Sequence, residues 1–250
     1  MYAPRLTRAH DSGPWQTIAI VRNCKRPSAI VSVAKPPQYT PQRMIGEGHI
    51  GVDESGKGDY FGPLVIAAVN VGPEHLAAIE GVKDSKKLSD AQVKALAPKI
   101  VAACQHTVIP LKPELYNKMY ADYKNLNHLL AWGHAKAIEG VLEQQPATRI
   151  ISDEFAKGGA PVKSRLGVLG KKCEFVSRVR AESDPAVAAA SILARAAFLR
   201  ILESLSQETG VALPKGATVV LPTARKYVAL HGRDALGRVA KLHFKTTLQV

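Results

Sequence analysis

Two apolar β-like runs in this chain stop on acids, and that placement constrains the fold more than any other feature. Ile50-Gly51-Val52 leads into Asp53-Glu54, and Arg149-Ile150-Ile151-Ser152 leads into Asp153. Short apolar runs bounded by turn residues read as buried strands. A glycine-rich turn follows Glu54 and Leu64–Val71 reads as a second strand, so a β-hairpin opens the well-patterned part of the chain. Helical spacing occupies 90–103 after Ser89-Asp90 and recurs over 126–145; Val176–Arg180 is a further strand. The alanine-rich stretch from about 185 to 205 predicts a long helix that tolerates Pro185 in its first turn. Strands come first and then alternate with helices, which predicts an α/β domain over 49–250 with a mixed sheet flanked by helices.

Residues 1–48 read differently. They are rich in Pro and Arg, with seven basic residues against Asp11 and Glu47. They are expected to form a short basic extension, with a marginal hairpin from Thr17–Val21 and Ala29–Val33. Met44 stands just ahead of the first patterned segment and is an alternative start. Three widely separated cysteines, Cys24, Cys104 and Cys173, give neither a disulfide framework nor zinc-ligand spacing, and a reducing, cytoplasmic location is expected. The apolar runs around Leu64–Val69 and Ala186–Ala197 are read as too short or too alanine-rich to span a membrane.

The chain of 250 residues carries 34 Lys+Arg against 21 Asp+Glu, a formal charge of +13. A lysine-rich solvated surface or a polyanionic partner would both produce this. The excess is concentrated: 213–250 holds Lys215, Arg225, Lys226, Arg233, Arg238, Lys241 and Lys245 against Asp234 alone. Such concentration favours nucleic acid.

Glu182 and Asp184 lie between a strand and the alanine-rich helix, a third acidic position like those of Asp53-Glu54 and Asp153. If the strands are neighbours, these carboxylates converge, repel one another and call for cations. Oxygen ligands without His or Cys patterns suit Mg²⁺ or Mn²⁺. A single strand-end acid is more often a cap or a turn residue, and consecutive side chains such as Asp53 and Glu54 diverge on an extended backbone. Ser55-Gly56-Lys57-Gly58 is a glycine-rich loop able to approach a sugar or phosphate, without the spacing of a nucleotide P-loop. Asp84-Ser85-Lys86-Lys87-Leu88-Ser89 offers hydroxyl and ammonium donors at a helix entry, where a capped, solvated start is an equal reading.

Together these segments resemble the type 2 ribonuclease H family, and within it the ribonuclease HIII branch. The resemblance is carried by Gly51-Val-Asp-Glu-Ser-Gly-Lys-Gly-Asp-Tyr-Phe-Gly-Pro-Leu64, Asp84-Ser-Lys-Lys-Leu88 and Asn125-Leu-Asn-His-Leu-Leu-Ala-Trp-Gly-His-Ala-Lys136. It continues through Ile151-Ser-Asp-Glu-Phe-Ala156, the stretch Ala181–Arg195 and Val239-Ala-Lys-Leu-His-Phe-Lys-Thr-Thr247. It implies an RNase H-like fold and endonucleolytic hydrolysis of the RNA strand of an RNA/DNA hybrid, leaving 5′-phosphate and 3′-hydroxyl ends. It implies Asp53, Glu54, Asp153 and Glu182 as catalytic metal ligands for Mg²⁺ or Mn²⁺, two ions, with Asp184 as the alternative fourth acid. Substrate contacts are expected from Gly56, Lys57, Gly58, Ser85, Lys86, Lys241 and Lys245, and a backbone contact from Arg195. The branch usually carries an N-terminal substrate-binding domain, and residues 1–48 are shorter than one. The expected partner is a hybrid duplex, with no membrane and no obligate protein partner. A non-catalytic hybrid-binding module and another metal-dependent nuclease of the same fold are the alternatives.

Overall fold

In a computed structural model of the chain, residues 48–82, 88–153 and 159–250 are described; the extension and its expected hairpin lie outside them. Strand β1, His49–Ser55, pairs antiparallel along its whole length with β2, Leu64–Val71, from His49↔Val71 to Ser55↔Val65. All eight residues of β2 are buried, as an apolar run between two neighbouring strands requires. Strand β3, His106–Leu111, pairs antiparallel with β2, while β4, Arg149–Asp153, and β5, Glu174–Arg178, extend the sheet in parallel on the other side of β1. The order is β3-β2-β1-β4-β5.

Helices cover both faces. Helices α1 (Asp90–Ala103), α2 (Pro113–Tyr123) and α3 (Leu126–Leu142) precede β4, the short α4 (Ala160–Lys163) follows it, and α5 (Pro185–Thr209) and α6 (Leu221–His231) complete the chain with two 3₁₀ segments, Arg233–Arg238 and Lys245–Gln249. On one face Ile50, Val52, Leu64, Ile66 and Ala68 pack with Leu129, Leu130 and Ile138 of α3 and Tyr116 of α2. The other face is taken by α5, whose first turn presses so closely on β1 that a side chain at Gly51 would overlap the backbone of Ala186 and Val187. Alanine makes this approach achievable, and sixteen of the 25 residues of α5 are buried. By length and apolarity α5 would qualify as a membrane span, contrary to the sequence reading. Inside the domain, 83% of its apolar window is buried, which makes it a core helix.

Four elements escaped the sequence reading: β3, α2, the short α4 and α6. The strand expected to reach Arg180 stops at Arg178, because Arg180 turns into the left-handed region at φ 58°. That turn sends the chain back across the end of β4.

Candidate active site

Parallel pairing of β1 and β4 decides the geometry. With Val52 opposite Ser152, Asp53 and Asp153 leave the sheet at the same end, one step beyond the last paired residues. The turn after β5 joins them: the Ala181 N–H donates to Asp153 Oδ1 at 3.1 Å, holding the 3₁₀ turn Ala181–Ser183, and so Glu182, against the end of β4. Three of the four predicted acids therefore lie at the same end of the sheet.

Asp53 lies on the α5 side. Its Oδ1 accepts the Glu54 N–H at 2.8 Å, and Ser191 of α5 adds a side-chain hydrogen bond. Burial, then the Glu54 charge, outweigh these bonds, with the Asp153 charge adding to them, and the carboxyl is pushed up to about 8. Glu54 points to the other face, as alternation along a strand demands. There its Oε2 meets Nε2 of His134 at 3.0 Å, and Lys57 Nζ stands 3.6 Å from Oε1. Burial pushes Glu54 up, but the hydrogen bonds and positive charge of His134 and Lys57 prevail and hold it below its ordinary value. His134, fully buried in α3, was not singled out from the sequence, since one histidine in an apolar helix has the pattern of a packed core residue.

Glu182 and Asp184 separate clearly. Asp184 caps α5, accepting from the Ala186 and Val187 N–H groups, and is paired with His49 Nε2 at 2.8 Å and Arg178 Nη2 at 3.3 Å. These bonds engage both of its oxygens, so Asp184, the alternative fourth acid, serves here as the helix cap and as the partner of His49 and Arg178. Glu182 Oε2, in contrast, is buried with no hydrogen-bond partner among the described residues. A buried acceptor without a donor is costly unless something else satisfies it. Together with the repulsion at Asp53, this orphaned oxygen fits a hard divalent cation. No three His, Cys, Asp or Glu groups among the described residues form a ready-made cage. Mg²⁺ in particular takes one or two carboxylates and completes its shell with water and substrate phosphate.

The glycine loop holds two different glycines. Gly56 has φ +87°, and a side chain there would strike the Pro63 carbonyl and Phe198; Gly58 is exposed with open space beside it. Ser85 and Lys86 lie outside the described residues. Ser89 closes a capping box with Gln92 at the start of α1. Arg195, expected on a phosphate, donates to the Leu88 carbonyl and to Asp90 at 2.6 Å, tying α5 to the start of α1. Lys245 is exposed. Lys241 corrects the sequence reading: it is fully buried and donates to backbone carbonyls, so it cannot reach a phosphate.

A mixed sheet with acids at the adjoining ends of its first and fourth strands and in the turn after its fifth, covered on both faces by helices, defines a nuclease of the ribonuclease H type. Bst-RNase HIII in complex with Mn²⁺ superimposes with a TM-score of 0.76 at 34% identity, covering 83% of this chain and 70% of that one. Ribonuclease HIII of Protochlamydia amoebophila is 46% identical over 203 residues, 79% of this chain and 66% of that protein; the Chlamydia felis protein of the same name is 43% identical, covering 79% and 67%. The chain thus spans about two thirds of the length of these relatives. The chain belongs to the ribonuclease HII family, whose model matches residues 50–247, and its relatives place it in the HIII branch.

Proposed function

We propose that this chain is an endoribonuclease that hydrolyses the RNA strand of RNA/DNA hybrids with divalent cations, leaving 5′-phosphate and 3′-hydroxyl ends. The observation that carries the reading is the parallel register that sets Asp53 beside Asp153, with the unsatisfied Glu182 carboxylate held at the same edge. Family membership supports it.

Asp53, Glu54, Asp153 and Glu182 are the residues that would hold Mg²⁺ or Mn²⁺, two ions on this reading. Such ions would supply an activated water and relief of the negative charge that builds up on phosphate and leaving oxygen. The chain's own contribution is placement. Ser191 fixes the Asp53 carboxylate from α5, and His134 fixes that of Glu54 from α3. Lys57, half-exposed beside Glu54, presents an ammonium where a scissile phosphate would lie. The exposed tip at Gly58 lets a sugar-phosphate backbone come close. Discrimination against DNA follows from polar groups left unpaired when a 2′-hydroxyl is missing, at about 1–3 kcal/mol per buried group.

The test is a matched set of RNA/DNA, RNA/RNA and DNA/DNA duplexes, incubated with Mg²⁺, with Mn²⁺ and with chelator, and analysis of the product ends. Cutting confined to the RNA of the hybrid, dependent on metal and yielding 5′-phosphates, is expected. Tight hybrid binding without hydrolysis would make the chain a binding module, and equal cutting of all three duplexes would assign it to another class of nuclease.

A further inference from the structure

Outside the carboxylate cluster, the least ordinary side chain is Lys241, which has no solvent exposure at all. Its Nζ donates to the carbonyls of Asp59 at 2.7 Å, Gly62 at 2.8 Å and, at a longer 3.5 Å, Phe61. The amino head thus turns its N–H donors toward three backbone oxygens of the β1–β2 loop, two of them close. The loop is gripped along its backbone as well. The Lys241 N–H donates to the Tyr60 carbonyl at 2.9 Å, the Gly62 N–H donates to that of Val239 at 2.9 Å, and Phe61 bridges Ala240. The Asp59 carboxylate accepts the Gly216 N–H at 2.6 Å, and the Gly216 carbonyl accepts from Tyr60. Behind Lys241, Asn117 of α2 donates to the Gly237 and Ala240 carbonyls and accepts from the Leu242 N–H at 2.9 Å. A continuous set of polar contacts thus runs from α2 through the last residues of the chain to the root of the loop whose other end carries Gly56, Lys57 and Gly58.

We propose that Lys241 is a positioning residue for substrate: its buried amino head organises the carbonyls of residues 59–62 and thereby fixes the loop that holds the hybrid backbone beside the acids. This rests on the hybrid-cleavage reading. Lysine suits the task because its stem packs as an apolar chain while its head satisfies several carbonyls at once. Removing the head leaves those oxygens buried and unpaired, and the loop relaxes to rehydrate them. The acids, held by β1, β4 and the turn after β5, do not depend on it. Substrate affinity and turnover therefore respond differently, which a role in fold stability alone would not produce.

Lys241→Met keeps the apolar stem and removes the donors, and Asn117→Ala loosens the same segment without touching the buried amine. The full-length variants are assayed for KM and kcat on an RNA/DNA hybrid with Mg²⁺, with circular dichroism to verify folding. A KM about tenfold higher for Lys241→Met and about threefold higher for Asn117→Ala, with kcat within about threefold of wild type, is expected. A folded Lys241→Met with wild-type KM would overturn the proposal. If that variant does not fold, Asn117→Ala decides, and its unchanged KM overturns the proposal equally. Absence of hydrolysis by the wild-type chain would overturn the activity itself, and this inference with it.

Discussion

At Asp53 the carboxylate stands where its own ionisation is disfavoured by burial and by two neighbouring acids. Asp53→Asn removes that repulsion while keeping shape, so the metal-free variant should melt no lower than wild type. Hydrolysis should fall below about a tenth, a loss above about 1.4 kcal/mol in the barrier; a larger residual rate would remove Asp53 from the reaction. The two acids before α5 should part company in the same pair of assays. Glu182→Gln should abolish cutting at an unchanged melting temperature, whereas Asp184→Ala, which loses a helix cap and two ion pairs, should cost about 0.5–2 kcal/mol of stability. Strong destabilisation by Glu182→Gln would show that its carboxylate is a structural group. The glycines also divide: Gly56→Ala forces a positive φ and a clash with the Pro63 carbonyl, while Gly58→Ala meets nothing. A thermal melt should therefore register the first and ignore the second.

The elements that were legible in the sequence are those whose burial is uniform. β2, β4 and α5 bury most of their length and β1 buries its central run Ile50-Gly51-Val52, so apolar runs and alanine density announced them. β3 is an edge strand, half-exposed and interrupted by Pro110, and α2 and α6 each bury few side chains, so no period stood out. The acids were legible because a charge at the end of an apolar run is conspicuous. His134 was not, since its meaning comes from Glu54, eighty residues away in sequence. Lys241 was misread because a lysine in a basic stretch looks like surface, and its carbonyl partners leave no trace in composition. Packing of α5 on β1 yields a sharp expectation. Gly51→Ala inserts a methyl into the backbone of the first turn of α5, which has no means of yielding without leaving the sheet. A loss of about 3 kcal/mol or more in urea unfolding is expected; a loss under about 1 kcal/mol would mean that the helix shifts freely.

Across the whole molecule, the charge of +13 should make hybrid binding fall with salt. Lys245, exposed near the C-terminus, is a candidate contributor: Lys245→Ala should reduce the log–log salt slope by about one unit without changing which strand is cut. An unchanged slope would make it ordinary surface charge. Stability carries a second signature, from Lys241. Burial lowers its pKa from 10.5 to about 7, against the opposing charge of Asp59. Between those values the unfolded chain holds a proton that the folded chain does not, so stability rises with pH through that window and the full penalty is felt below it. Relative to Lys241→Met, wild type should gain unfolding free energy as pH is raised from about 7 to about 9.5, read from urea midpoints; a constant difference would refute the shift. The acids at the sheet edge come from the first, middle and final thirds of the chain, and the lysine that holds the loop comes from its last ten residues. A chain still emerging from the ribosome therefore displays Asp53 without its companions. The carboxylates and the loop beside them come together only when parts of the chain a hundred or more residues apart have folded against one another.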